Sequence, residues 1–118
     1  MKKLMLAAML FSASAFAKGL DGKIFAIETG EKGKTETEKE DVDFTKGKFH
    51  SKACDQYGFD SGVYKVAGDK FEADTASAKE GKIHWSGTVS GDHIEGTYVW
   101  SKTGQKPIEY WFKGTAKK

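Results

Sequence analysis

The sequence predicts an all-β protein, a single antiparallel up-and-down β-barrel of about eight strands. Short runs of alternating apolar and polar residues, bounded by glycine, recur from Lys23 to Thr115. Two-residue turns at Lys46-Gly47, Gly68-Asp69 and Gly91-Asp92 alternate with longer connections, and glycine supplies the positive φ that tight hairpins need. The predicted strands are Lys23–Thr29, Lys34–Phe44, Lys48–Ala53, Gly62–Val66, Lys70–Thr75, Lys82–Ser90, His93–Ser101 and Ile108–Thr115. In such a meander the tight turns and both termini share one end, and the long loops share the other.

The first 17 residues do not belong to this pattern. Lys2 and Lys3 precede an apolar run from Leu4 to Phe16, and Ala15-Phe16-Ala17 is a small-x-small cleavage site. We therefore expect a signal peptide at residues 1–17 and one barrel domain at residues 18–118, periplasmic or secreted. No cysteine follows the cleavage point for lipid attachment, so we expect no membrane anchor after cleavage; the alternative is a retained N-terminal anchor.

Composition narrows the classes of partner. Without Lys2 and Lys3, 17 lysines face 17 acidic residues, so the mature chain is formally neutral. Arginine is absent and no basic stripe occurs, which argues against nucleic acid. Cys54 is the only cysteine, so an intramolecular disulfide is impossible. Its thiol is expected to be free, partly buried or paired between molecules.

The segment from Trp85 to Trp100 repeats a Gly-Thr phrase on both sides of its turn. Pairing Ser90 with His93 places Gly87 opposite Gly96 and Trp85 opposite Tyr98. Paired glycines let a sheet coil sharply, and neighbouring aromatic rings can cover the exposed backbone. The alternative is that both glycines are incidental weak points.

The inward-facing positions change in character along the predicted barrel. Those near the tight end are apolar: Phe44, Phe49, Val66, Phe71, Val89, Ile94 and Phe112. Those toward the long loops are Ser51, Tyr64, Thr75, Trp85, Tyr98, Trp100 and Tyr110. We expect Phe49, Phe71, Ile94 and Phe112 to form a buried core.

The long-loop end is the candidate binding site, because aromatic walls with a few hydroxyl groups are typical of ligand pockets. The candidate ligand-binding residues are Tyr64, Trp85, Tyr98, Trp100 and Tyr110, with Tyr57 and Phe59 on the loop above. The alternative is that these aromatic rings are merely half-buried at a barrel rim.

Residues that could carry chemistry are scattered. His50, His84 and His93 fall on the outward side of their strands, with no carboxylate spacing that would organise zinc. His50 and Cys54 do not form a convincing nucleophile and base pair, because the histidine points outward and the cysteine enters a loop. We expect no catalytic residues, no metal site and no cofactor, and hence no enzyme.

Carboxylates in strand 2 conflict with a regular barrel interior. Glu36, Glu38 and Glu40 share the inward parity of Val42 and Phe44. Either the first half of this strand leaves the barrel, or a bulge shifts its parity, or the mouth is acidic and favours cationic ligands.

Trp111 is predicted to face outward, near Val99 and beside whichever of Phe25 or Ile27 strand 1 turns outward. A large exposed aromatic residue often marks an interface, here one that would form a homo-oligomer. The alternative is a tryptophan lying flat over a twisted sheet.

Trp85-Ser86-Gly87-Thr88-Val89 and Ile94-Glu95-Gly96-Thr97-Tyr98 resemble the Gly-Thr strands of avidin-like barrels. In architecture, residues 20–115 are similar to the calycin group of avidins and lipocalins, which implies a ligand pocket at the mouth with Trp85 and Trp100 in it. The polar biotin contacts are not matched, and Gly19-Leu20-Asp21-Gly22 lacks the tryptophan of the lipocalin opening, so neither biotin nor haem binding is implied. The chain also resembles small exported bacterial barrel proteins of uncharacterised function. Small exported bacterial barrels as a class include inhibitors of secreted hydrolases.

The resulting expectation is a non-enzymatic binding protein that holds a small, partly apolar ligand at the long-loop mouth. The alternative is a protein-interaction module, such as an inhibitor of a secreted hydrolase, that presents the loop from Cys54 to Ser61.

Overall fold

The computed structural model describes residues 19–117, and these form a closed barrel of eight strands. The strands are β1 (Ile24–Glu31), β2 (Glu38–Thr45), β3 (Lys48–Ser51), β4 (Gly62–Ala67), β5 (Lys70–Ser77), β6 (Gly81–Ser90), β7 (His93–Ser101) and β8 (Ile108–Ala116). They pair antiparallel in chain order, and β1 closes the barrel against β8. The predicted fold class is confirmed.

The predicted signal peptide lies outside the described residues. From residue 19 to residue 117, no helix has the length and apolar character needed to cross a membrane.

The three tight turns are confirmed by the pairing of the residues that flank them. Thr45 pairs with Lys48, Ala67 with Lys70 and Ser90 with His93. The two ends of the described segment lie beside these turns, because the Gly22 amide donates to the Phe44 carbonyl and the Ala116 amide donates to the Asp92 carbonyl.

The glycines of the β6–β7 hairpin are required by the packing. Gly87 pairs with Gly96 as predicted. A Cβ built on Gly96 would overlap the Ser86 carbonyl oxygen and lie 3.0 Å from Cζ of Phe112; one on Gly87 would lie 2.8 Å from Cε1 of Phe71. The two backbones thus approach closely, and two phenylalanine rings cover them from inside. The glycines are therefore not incidental.

Most strand boundaries lie within two residues of the predicted ones, and two of the differences have an identifiable structural cause. β2 begins at Glu38 rather than Lys34, because residues 32–37 form a connecting loop that opens with a Lys34 to Glu31 backbone bond. β3 ends at Ser51 rather than Ala53, because Lys52–Tyr57 forms a 3₁₀ helix, which we call the cap helix. The Ala53 amide donates to the side chain of Glu40 instead of to a neighbouring strand.

The core lies where the sequence predicts it. Phe49, Phe71, Ile94 and Phe112 are all at most 2% exposed. Phe49 and Phe71 have ring centroids 5.8 Å apart, and Phe71 and Phe112 have theirs 6.4 Å apart. Aromatic rings fill this half of the barrel, as the inward parity of the strands requires.

Candidate functional site

An aromatic stack crosses three neighbouring strands at the long-loop half of the barrel. Trp85, Tyr98 and Tyr110 are cross-strand partners on β6, β7 and β8. The ring centroids of Trp85 and Tyr98 are 4.1 Å apart, and those of Tyr98 and Tyr110 are 4.7 Å apart with nearly parallel planes. Exposure rises along the stack, from a fully buried Trp85 to a half-buried Tyr110. The stack therefore joins the core to the rim.

Two of the predicted ligand-binding residues, Trp85 and Trp100, also make contacts with other parts of the barrel. Trp85 packs against Phe49 and Phe112, with centroids 4.7 and 5.4 Å away, so it belongs to the core as well as to the mouth. Trp100 is half-buried, and its indole N–H donates to the Glu80 carbonyl at 2.6 Å, which ties it to the β5–β6 loop.

The cap helix and the residues after it bring the remaining loop residues to this end. Phe59 is 6% exposed and belongs to the core cluster, and Cys54 packs against that cluster. Tyr57 remains 55% exposed, while its carbonyl accepts from the Ser77 hydroxyl at 2.9 Å. The mouth is thus covered by the cap helix, with Tyr57 at its surface.

Polar groups line the interior beneath the cap helix. The Tyr98 hydroxyl lies 2.8 Å from that of Thr29, which donates to the Trp111 carbonyl. Oε1 of Glu40 accepts from the Ser51 hydroxyl at 2.7 Å and from the Ala53 amide at 3.0 Å. Burial raises the pKa of both Tyr98 and Glu40, although these hydrogen bonds oppose the shift.

Two polar atoms in this interior layer have no hydrogen-bond partner among the described residues. They are Oγ1 of Thr75, in a residue 4% exposed, and Nε1 of Trp85, in a residue fully buried. Both side chains face inward on adjacent strands and are diagonal neighbours, because Trp85 pairs with Ala73, two positions from Thr75. Each unpaired buried polar group costs about 1–3 kcal/mol, so a molecule that hydrogen-bonds to either atom would offset that cost.

Tyr64 is not at this mouth, so its predicted placement is wrong. Its hydroxyl donates to Asp21 at 2.6 Å, and its amide donates to the carbonyl of Gly47 in a tight turn. Burial and the Asp21 carboxylate raise its pKa. Strands in a closed barrel are staggered, and β4 is displaced past the short β3 so far that Tyr64 reaches the opposite end.

Thr29 and Glu40 lie at the mouth, although neither was among the candidate ligand-binding residues predicted from the sequence. The sequence alone did not decide which side of strand 1 faces inward. The inward-facing residues are Phe25, Ile27 and Thr29. Glu40 pairs with Ile27 and Glu38 with Thr29, in a continuous register without a bulge. Of the three explanations for the strand 2 carboxylates, the first applies to Glu36, which precedes β2. The acidic mouth of the third agrees with the inward parity of Glu38 and Glu40, while the preference for cationic ligands stays a prediction. The inward parity of these acidic residues was the available signal.

His50 links the cap helix to the barrel wall. Its Nδ1 lies 2.9 Å from Oδ2 of Asp43 on β2, and its Nε2 lies 2.7 Å from Oδ1 of Asp55 on the cap helix. Burial opposes a positive charge on His50, but the two carboxylates outweigh it and raise the pKa above the ordinary value of 6.5. No group of three metal-ligating side chains in residues 19–117 is arranged to hold a metal ion.

We expect the link that His50 forms between Asp43 and Asp55 to weaken as the pH rises. A group whose pKa is higher in the folded state contributes stability below its unfolded pKa and loses it as the pH passes its folded pKa. In an NMR titration, His50 should therefore titrate above 6.5, and the Asp55→Asn variant should return its pKa toward that value. Asp74→Asn is the matched control, because it removes an equivalent carboxylate 2.7 Å from His84 on the outer wall. An unchanged His50 pKa in Asp55→Asn would contradict the proposed link between His50 and Asp55.

Trp111 lies on the outer wall and is half-buried, which agrees with the prediction of a tryptophan lying flat over the sheet. It pairs with Gly30, whose missing side chain leaves room for the indole: a Cβ there would lie 3.0 Å from Cζ2. The Lys113 ammonium lies 5.6 Å from the ring centroid. The expectation that Phe25 or Ile27 turns outward beside it is wrong, because both are buried inside the barrel. The homo-oligomer through this face stays a prediction.

Two open grooves, of about 720 and 520 Å³, lie mainly on the outer wall, and no ring of the aromatic stack lines either of them. The larger runs over outward residues of β8, β1 and β2, such as Thr115 and Lys39, and reaches Glu40 and the cap helix at Lys52 and Ala53. The smaller includes Trp111 and Lys113. Charged side chains of both signs line each groove.

Comparison with known proteins gave no match to a family model, a curated protein or a solved structure. The closed eight-stranded antiparallel barrel is consistent with a calycin-like architecture. The function must therefore be argued from the site itself.

Proposed function

We propose that this chain is an exported, non-enzymatic binding protein that holds a small, partly apolar molecule at the long-loop mouth of the barrel. The observation that carries the proposal is the pair of unpartnered buried atoms, Thr75 Oγ1 and Trp85 Nε1, in a wall otherwise built of aromatic rings. A molecule with an apolar body and one hydrogen-bonding group would complement both features.

The binding residues in this proposal are Trp85, Tyr98, Tyr110, Trp100, Tyr57 and Phe59. Tyr64 is left out because it bonds Asp21 at the other end. Tyr110 is the half-buried outer ring of the stack and the natural first contact for a ligand. Tyrosine and tryptophan offer a large contact area with few rotatable bonds, so ordering them costs little entropy.

A second candidate is a protein-interaction module that presents the cap helix. Two observations favour it. Aromatic rings fill the half of the barrel near the tight turns, and the Tyr57 side chain on the cap helix is 55% exposed. Exposed tyrosines are frequent anchors in protein interfaces.

Native mass spectrometry of the protein purified from its own extracellular or periplasmic fraction tests both candidates. The first predicts a retained small mass that is released on unfolding, and the second predicts a complex with another protein. Protein that carries neither, at concentrations that preserve weak complexes, would contradict the proposed function.

A further inference from the structure

The rim of the mouth is acidic on one side. Glu31 pairs with Tyr110, Glu38 with Thr29 and Glu40 with Ile27, and each shares the inward parity of its partner. Three carboxylates therefore stand along the β1–β2 part of the mouth, next to the outer ring of the aromatic stack.

Neighbouring lysines compensate this charge only in part. Lys34 lies 3.8 Å from Glu31, and both side chains are substantially exposed, so the pair is screened. None of the ion pairs in residues 19–117 involves Glu38 or Glu40. Burial is the main cause that raises the pKa of Glu40, and the nearby charge of Glu38 adds to it. Lys52 on the cap helix is exposed and lines the larger groove together with Glu40, but it forms no ion pair with that carboxylate.

The rings beside these carboxylates suit a cation. Tyr98 and Tyr110 stack with an angle of 10° between their planes, and Tyr110 is the half-buried outer ring of the stack. A cation within about 6 Å of an aromatic face is attracted to it, most strongly when it is desolvated. Burial, followed by the charges of Glu31 and Glu38, raises the pKa of Tyr110, so the hydroxyl stays protonated and neutral.

The unpartnered atoms define the other end of the ligand. The indole N–H of Trp85 can only donate, and the Thr75 hydroxyl can donate or accept. Both are at least nine-tenths buried and face the interior that the carboxylates border. A ligand that satisfies Trp85 must bring a hydrogen-bond acceptor.

We infer that the mouth selects a compact organic ammonium ion that carries a hydroxyl or carbonyl group. The ammonium lies against Glu38, Glu40 and the Tyr110 ring, and the oxygen accepts from Trp85. This inference deepens the proposed function and rests on it.

Isothermal titration calorimetry at low salt with three probes tests the inference. Choline carries both the charge and the hydroxyl, 3,3-dimethyl-1-butanol is its neutral isostere, and tetramethylammonium lacks the hydroxyl. Choline should bind at least about 10-fold more tightly than the neutral isostere, since cation–π and carboxylate contacts together exceed the free energy of one decade in affinity. Tetramethylammonium should bind more weakly than choline.

Matched variants test which carboxylate causes the preference for choline over its neutral isostere. Glu38→Gln should reduce choline affinity several-fold while leaving the neutral isostere unaffected. Glu109→Gln, which removes an exposed carboxylate on the outward side next to Tyr110, should change neither.

Equal affinity for choline and its neutral isostere, or no binding of choline at all, would overturn the inference. Equal affinity for choline and tetramethylammonium would overturn the role of the acceptor. The proposed function is judged separately by the retained small mass, so a neutral or anionic molecule found there would leave that function standing while the ammonium inference fails.

Discussion

Truncating a core phenylalanine to alanine is expected to lower the free energy of unfolding by about 3–5 kcal/mol. Phe49, Phe71 and Phe112 are the test positions, because each is at most 2% exposed and packs against other rings. The loss combines the transfer of apolar surface with the cavity left behind. It would remove much of the stability of a small domain. Denaturant unfolding of each variant provides the measurement.

Val63→Ala is the matched control for these truncations. Val63 is 64% exposed on β4, so its removal should change stability by no more than about 0.5 kcal/mol. Losses below about 1 kcal/mol at all three phenylalanines and in Ile94→Ala would contradict the inward-facing assignment.

Gly96→Ala is expected to destabilise the barrel by about 3 kcal/mol, the upper end of what added core atoms usually cost. The new methyl group would overlap the Ser86 carbonyl and approach Gly87 Cα and the Phe112 ring, and paired backbone cannot move away without breaking the β6–β7 register. Thermal and denaturant unfolding measure the effect. Gly19→Ala is the control, because nothing lies within 4 Å of a Cβ built there. Equal stability of the two variants would mean that the hairpin relaxes freely.

Most of the barrel could be predicted because short sequence patterns within each hairpin determine the strand register and the inward-facing side chains. A two-residue glycine turn fixes the register of its hairpin, and period-two alternation then fixes which side chains face inward. The pairing of Trp85 with Tyr98 follows from the Gly91-Asp92 turn alone. The burial of Phe49 and Phe112 follows from parity.

The rest depended on relations between distant segments. Tyr64 lies four residues before its turn, but its height in the barrel is set by the stagger between β3 and β4, which no local pattern encodes. The cap helix replaces the end of β3 because Glu40, distant in sequence, accepts from Ser51 and Ala53. The acidic side of the mouth was visible in the parity of strand 2, but the choice among its three explanations needed the β1–β2 register.

We propose that the long-loop mouth, and not the outer wall, is the binding surface. The most direct test compares the small mass retained by the wild type with that retained by Tyr110→Ala and Trp111→Ala in native mass spectrometry. These neighbouring residues on β8 face opposite sides of the barrel wall, so the variants differ in which surface they alter. We expect Tyr110→Ala to lose the retained molecule and Trp111→Ala to keep it. Retention in Tyr110→Ala together with loss in Trp111→Ala would place binding on the outer wall and contradict the account.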